Sequence, residues 1–465
     1  MAVWCLSGVV MMYVPYPRLT DEQRLAALPA LDWQGCCHFG DSNSAAPARA
    51  PISDTAAVPS FQVEMLGDRP VLRALFAGVG RKVIDLRTGD AIDSVPDKDA
   101  GEVASQFAKS LGVAGAAPPP KLILRDQWTV AAGRAEQPFF EFDFDDLSRT
   151  VVYVSSVTGR AVQVTQSSQR FWNWLGSVPH WLYPTALRQY PAAWTQVVIW
   201  TSVIGTFLTV IGLYLGIKEL RRRASGTLSS PHRGLMWWHH VPGLVFGVLV
   251  LTWVVSGLFS MNPWGMMEIE NVAEDTRVIT GEPPRWSDVR GLIESVSANA
   301  PSNMRSLNAA SFGGELAAVA TLADGSRVRL DRAGVAKPLT DADWNAMRSR
   351  LLPTPARSTW SVLREEDAYH YSTRTNTAAL PIVRIVGEGK PEVRYYLDPI
   401  SGRLLNKLDA GGRAFRWWHS ALHTLDFSVL TRSAWFRNSV MLVLLLGAAG
   451  VCITGTWLGI RRLTR

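Results

Sequence analysis

Three long uncharged apolar runs and one short one divide this chain, and stretches of period-two alternation lie between them. Val241 to Met261 carries no charged residue, and its helix would rise about 31 Å, enough to cross a hydrocarbon core of about 30 Å. Ala192 to Ile217 is a second run, 26 residues without a charge, and Asn438 to Ile460 supplies another. Met1 to Tyr16 is just as apolar but offers 16 residues, where a crossing needs roughly 20. The pattern predicts four membrane helices, the first of them only the exit half of one.

Between the runs, alternation and turn residues predict soluble α+β structure. Strands are expected at Phe61–Met65, Val71–Ala77 and Lys82–Leu86, then a helix over Ala100–Leu111. After the linker GAAPPPK, strands return at Pro138–Phe144 and Thr150–Ser155. The second stretch predicts a helix near Ser287–Ala300, a hairpin turning at Asp324-Gly325, and strands at Ile382–Val386 and Glu392–Leu397. The fold class is then a polytopic α-helical membrane protein with four spans, the first truncated, and two extracytoplasmic α+β domains. Its expected segments are 1–16 (first helix), 17–170 (soluble domain), 171–217 (pre-membrane segment and second helix) and 218–235 (basic loop). The second half follows as 236–261 (third helix), 262–413 (second soluble domain), 414–460 (pre-membrane segment and fourth helix) and 461–465 (basic tail).

Charge then orients the helices. The loop holds Lys218, Arg221, Arg222, Arg223 and Arg233 against Glu219 alone, and the chain ends on Arg461, Arg462 and Arg465. Positive loops stay in the cytoplasm, which puts both large domains outside, in the periplasm of a Gram-negative cell with the helices in its inner membrane. The net charge of +7 is placed beside the helices, so it speaks for lipid as partner and against nucleic acid. Many of the 19 tryptophans, Trp172, Trp181, Trp237, Trp264 and Trp417 among them, flank the apolar runs as an interfacial belt would. Four cysteines make no disulfide framework, and the neighbours Cys36 and Cys37 are assigned no role.

The two halves repeat. At an offset of 243, Pro138 meets Pro381, Tyr153 meets Tyr396, Gly159-Arg160 meets Gly402-Arg403, Trp174 meets Trp417 and His180 meets His423. A second register, at 249, matches Trp4, Ser7 and Gly8 with Trp253, Ser256 and Gly257. A duplicated unit of helix, soluble domain and returning helix accounts for both. It sets His180 and His423 at equivalent places outside two spans, as bis-imidazole ligation of one haem requires; they could equally be interfacial polar residues of an amphipathic pre-membrane segment. His419 lies one turn from His423 and could join it on a metal, but its repeat counterpart is Gly176, so it is an accessory candidate. Along the third span, His239, Gly243, Gly247, Val250, Val254 and Gly257 share a face. An imidazole above a groove of glycines suits a flat haem, and the same glycines suit close packing of helices. His240 stands about 100° round from His239 and is the other accessory candidate.

These features together resemble the PepSY-associated transmembrane proteins, a family that includes iron-regulated membrane proteins and ferric-siderophore reductases. The resemblance rests on His239-x3-Gly243 leading into LTWVVSGLF, on His180, and on ALHTLDF around His423. The turn YYLDPISGRLL and the end GIRRL add to it. It spans nearly the whole chain and implies four spans, periplasmic PepSY-type domains and one or two haem b groups held by histidines at the membrane edges. In its reductase members, electrons pass from the cytoplasm to a periplasmic ferric complex. Carried over, His180 and His423 would hold an outer haem and His239 would be one ligand of an inner haem, beside Gly243 and Gly247. No nicotinamide, flavin or nucleotide motif appears in strand–helix context, so the electron donor would be a separate cytoplasmic reductase or quinol, and the acceptor ferric iron or a ferric siderophore. A rival expectation is a non-enzymatic regulator of periplasmic peptidases, or a sensor, because PepSY domains also serve as inhibitory modules.

The inner partner of His239 has no counterpart in the first helix, since position 239 maps to −10, about ten residues before Met1, at the 249 offset, and Met1 itself aligns with Val250 in mid-span. The pattern therefore predicts a reading frame that begins upstream, with a basic segment and a histidine. A natural short form, with His240 or an outside group filling the inner site, is the competing expectation.

Overall fold

The apolar runs become helices, and their outward faces show what surrounds them. In the computed structural model, residues 1–39, 52–222, 224–352, 357–373, 376–389, 392–427 and 434–464 are described; Arg223 and Arg465 lie outside them. One unit of the chain joins Met1–Tyr16, Ser168–Glu270 and Asp409–Arg465. It holds α1 (Ala2–Met11), then α4 (Ser167–Leu175), α5 (Ser177–His180) and α6 (Thr185–Arg188), which lead into α7 (Pro191–Lys218). A short hairpin of β8 (Arg221–Arg222) and β9 (Leu228–Ser229) turns the chain into α8 (Leu235–Phe259). After the soluble excursion come α12 (Ala410–Phe415), a π-helical turn over Arg416–Ala421, α13 (Leu422–Thr424) and α14 (Ala434–Leu463).

Among the described residues, α7, α8 and α14 are long and apolar enough to cross a membrane, and α1 is a shorter apolar helix. Helix α8 packs between α7 and α14, and α1 lies along α14. Phe207, Leu208, Val245, Val443 and Leu446 are exposed on the outside of this bundle. A water-facing helix would carry charges there; a lipid-facing one carries these residues. Inside, Cys5, Val250, Val254, Ala448 and Ala449 form a buried cluster in which small side chains let the helices approach.

The other unit joins Pro17–Ser167 and Asn271–Leu408. Its first half contains α2 (Asp21–Ala27), started by a Thr20–Gln23 capping box. There follow β1 (Ser60–Leu66), β2 (Arg69–Phe76), β3 (Gly80–Asp85), α3 (Asp97–Ser110), β4 (Lys121–Ile123), β5 (Phe139–Asp143), β6 (Val151–Ser155) and β7 (Ala161–Thr165). The second half repeats the plan with α9 (Val272–Thr280), α10 (Trp286–Asn299), β10 (Met304–Ala309), β11 (Ala318–Leu322) and β12 (Arg327–Leu330). It closes with α11 (Asp341–Leu351), β13 (Ser358–Leu363), β14 (Ile382–Gly387), β15 (Val393–Leu397) and β16 (Leu404–Leu408). Each expected strand and helix is present within a few residues of its expected bounds. The expected turn at Asp324-Gly325 joins β11 to β12, with Gly325 at φ +84°.

Two four-stranded antiparallel sheets, β4-β5-β6-β7 and β13-β14-β15-β16, belong one to each half. The third sheet does not. Its order is β12-β11-β10-β1-β2-β3, so β1 of the first half pairs antiparallel with β10 of the second, Gln62 opposite Asn308. The two soluble stretches, expected as separate domains, therefore share a sheet. Its core is shared as well: Trp286 of α10 meets Phe39 and Phe76 edge-on, at ring-centre distances of 5.6 and 5.1 Å. Cys36 and Cys37 are joined by a disulfide and pack against this core.

Candidate functional site

The end of the helix bundle near α5 and α13 gathers three histidines. His180 closes α5 and His423 sits in α13, and their ring centres are 6.1 Å apart with the planes at 72°. His419, in the π-helical turn, stacks on His423 at 5.2 Å and touches Phe415.

The two principal rings are held in the same way. His180 Nδ1 lies 3.2 Å from Ser7 Oγ and 3.0 Å from the Trp4 carbonyl. His423 Nδ1 lies 3.0 Å from Ser256 Oγ, whose own hydroxyl donates to the Trp253 carbonyl at 3.2 Å. The Trp4 carbonyl can only accept, and Ser256 Oγ, already donating to Trp253, accepts from His423; each Nδ1 then carries the proton and each Nε2 keeps the lone pair that binds a metal. A side chain added at Gly8 would meet His180 Cε1 at 3.5 Å, and one at Gly257 would meet His423 Cε1 at 3.4 Å. Trp4, Ser7 and Gly8 thus serve His180 as Trp253, Ser256 and Gly257 serve His423. The helix register of 249 and the histidine register of 243 converge on one geometry.

Burial lowers the pKa of both imidazoles: His180 against the pull of the Trp4 carbonyl, His423 with the help of the nearby His419 and His180 rings. Both stay neutral in the range where an imidazole would ordinarily begin to protonate, which is the state a metal ligand needs. Two imidazoles on one iron would have ring centres about 6.4 Å apart, given a metal–nitrogen bond of about 2 Å and a ring radius of about 1.2 Å. The observed 6.1 Å is of that size. Among the described residues no group of three or more His, Cys, Asp or Glu side chains could hold a metal ion. A porphyrin brings four of its own ligands and asks the protein for two. His419 turns Nδ1 to the Ser256 carbonyl, 2.9 Å away, and so shares the anchor that positions His423.

The other end of the bundle holds His239 and His240. His239 Nδ1 lies 3.2 Å from both the Val451 carbonyl and Thr454 Oγ1 of α14, and its ring fills the space above Gly455, where an added side chain would meet Cε1 at 2.8 Å. This is again a ring anchored through Nδ1 and laid on a glycine. His240 differs. Its Nδ1 meets Ser230 Oγ and its Nε2 the Gly216 carbonyl, each at 2.7 Å, and His232 lies against its ring. With both nitrogens engaged, His240 ties the basic hairpin to the end of α7. His239 stands 17 residues before Ser256, so the two histidine layers are separated by about 25 Å along α8.

Gly243 and Gly247 do not line an open groove. An added side chain at Gly247 would strike Leu213 of α7 at 2.9 Å, and one at Gly243 would meet Val451 of α14 at 3.7 Å. Here they bring helices together, the packing role of small residues in membranes. Reading residues one at a time did not reveal the part played by Ser7 and Ser256, although both already lay in the 249 register. No family model matches the chain, and no match to it was found among curated proteins.

Proposed function

We propose that this chain is a haem-carrying electron-transfer protein of the bacterial inner membrane, passing electrons from a cytoplasmic reductase or quinol to an extracytoplasmic ferric acceptor such as a ferric siderophore. The observation that carries the reading is the pair His180 and His423, 6.1 Å apart and each anchored through Nδ1 to a serine of a facing helix. Haem b, when bound there, supplies a one-electron iron couple. The residues of the chain do the rest. Ser7 and Ser256 orient the imidazoles, and the Trp4 carbonyl and the Ser256 hydroxyl hold the proton on Nδ1 of His180 and His423 in turn. Val250, Val254, Ala448 and Ala449 exclude water from the bundle interior. His239, anchored to α14 about 25 Å away along α8, would supply one ligand of a second haem nearer the basic hairpin. Support for the orientation comes from the basic residues at that end, Arg221, Arg222, Arg461 and Arg462.

The test is optical. Protein from haem-replete cells, purified in detergent, is expected to show a Soret band and a low-spin dithionite-minus-air difference spectrum, with pyridine haemochrome giving the number of haems. A colourless preparation would sink the redox reading and turn attention to the regulator.

A further inference from the structure

Arg188 closes α6, three residues before α7 begins at Pro191, at the end of α7 opposite the basic hairpin. Its guanidinium carbon lies 5.1 Å from the centre of the Tyr183 ring and 4.6 Å from that of Trp194. These rings are themselves held. They meet edge-on at 5.7 Å, Trp194 Nε1 donates to the Trp181 carbonyl at 3.0 Å, and Tyr16 packs on both Trp181 and Tyr183. A cation is attracted to such ring faces, but ring faces accept no ordinary N–H bond, so the guanidinium still carries its in-plane donors. Among the described residues no acid or carbonyl takes them. Nε is shut in without a partner, whereas the two Nη groups are open to the surface of this half-buried side chain. No acid stands before Asp21 or between Asp146 and Glu219, so the stretches that build this corner contain none.

The duplicated half treats its arginine differently. At the 243 offset, Tyr183, Arg188 and Trp194 correspond to Asp426, Thr431 and Arg437; Thr431 lies outside the described residues. There Arg416, in the π-helical turn, donates from Nη2 to the Asp426 carbonyl at 2.7 Å, with the Asp426 carboxylate 3.9 Å away. One half provides an acid for its arginine. The other provides aromatic rings and leaves the Nη groups at the surface.

Along α7, Val197, Ile204 and Leu208 share a face with Trp194, and all three are exposed. Trp181 and Tyr190, on either side of Arg188 in the chain, are exposed as well. An apolar ladder that ends at a cation set among amphipathic rings has the order of a lipid, tail and then phosphate. We propose that this corner binds one phospholipid molecule, its phosphate held by the Nη groups of Arg188 and an acyl chain lying on Val197, Ile204 and Leu208. Two Nη–H groups fork onto two phosphate oxygens, the rings fix the direction of the fork, and no carboxylate has to be displaced. A free phosphate ion would leave the ladder unused. Occupancy of this corner is independent of haem.

Native mass spectrometry of the delipidated full-length protein, released from detergent, tests this with three probes. They are dioleoylphosphatidylglycerol, dioleoylglycerol (the same chains without the phosphate) and sodium phosphate. Wild type is expected to retain one phosphatidylglycerol more than Arg188→Gln, a difference that separates this corner from any lipid held at the basic hairpin. Dioleoylglycerol should bind there at least about tenfold more weakly, and an excess of sodium phosphate should not displace the phospholipid. Trp194→Leu keeps the cation but removes a ring that directs it, and should weaken retention. Arg188→Lys keeps the charge but loses the fork, so it should weaken retention too, and it carries the test if Arg188→Gln fails to fold. Equal retention by wild type and a folded Arg188 variant, dioleoylglycerol held as well as phosphatidylglycerol, or displacement by phosphate would each overturn the proposal.

Discussion

His180 and His423 show how a ligand pair is made by neighbours rather than by the ligands themselves. Each ring would be free to rotate on its own short helix, α5 or α13. Each is instead fixed through Nδ1 by a serine of a neighbouring helix, α1 or α8, with the Trp4 carbonyl added at His180, and each lies against a glycine that leaves room for it. If the two rings share one iron, they are equivalent in consequence. His180→Ala and His423→Ala should each abolish the outer low-spin spectrum, because bis-imidazole ligation fails when either ligand is lost. His419→Ala should leave most of it, since His419 contributes a stacked face. Ser7→Ala and Ser256→Ala should retain the haem but shift its reduction potential in the same direction, the hydroxyl being the outer support of the ligand. Full retention of an unchanged low-spin spectrum in His423→Ala would refute the pairing.

At the scale of elements, the turn after β15 shows what sequence pattern conveys and what it leaves out. Asp398, Ser401 and Gly402 read as ordinary turn residues, and the turn is there, with Gly402 at φ +75°. The pattern could not show that the turn docks: a Cβ at Gly402 would fall 2.2 Å from Phe312, and Asp398 takes both Nη groups of Arg327 at 2.7 and 3.0 Å. Burial would raise the Asp398 carboxyl, but Arg327 and Ser401 outweigh it and hold it below the usual range. Asp398→Asn is expected to cost about 1–2 kcal/mol, the low end for a buried acid because Arg327 is open to solvent. The pH dependence has a definite sign. A depressed carboxyl stabilises the fold fully above its unfolded pKa of about 3.9, and that stability is lost as pH falls through the folded value. Melting curves of wild type and variant should therefore be well separated at pH 7 and converge in acid; a gap that persists unchanged at pH 3 would remove the ion pair as its cause. The same limit explains the glycine face of α8. Periodicity put Gly243 and Gly247 below His239, yet only the neighbours Leu213 and Val451 decide that these glycines serve packing. His240, next to a candidate ligand in sequence, is likewise decided by Ser230 and Gly216, partners 10 and 24 residues away.

At the scale of the whole molecule, the duplication was legible because identical residues recur at fixed offsets, but the fusion of the soluble halves was not. Pairing between β1 and β10 is made through backbone groups, which leave no residue signature, and only the shared burial pattern records it. The consequence is mechanical. Trp286 begins α10 in the second half, yet its ring packs on Phe39 and Phe76 of the first, and Val289, Leu292, Ile293 and Val296 continue along the common sheet. Removing that ring should cost about 3–5 kcal/mol, the range for a fully buried aromatic cut to alanine, and the cost should fall on both halves together because one core serves both. In limited proteolysis of the Trp286→Ala protein, peptides from β1–β3 and from β10–β12 should become susceptible at the same protease concentration and temperature. If cleavage instead stayed within 271–408 while 60–85 kept its wild-type resistance, the halves would be separate folding units that merely touch, and the six-stranded sheet would have to be read as an edge contact.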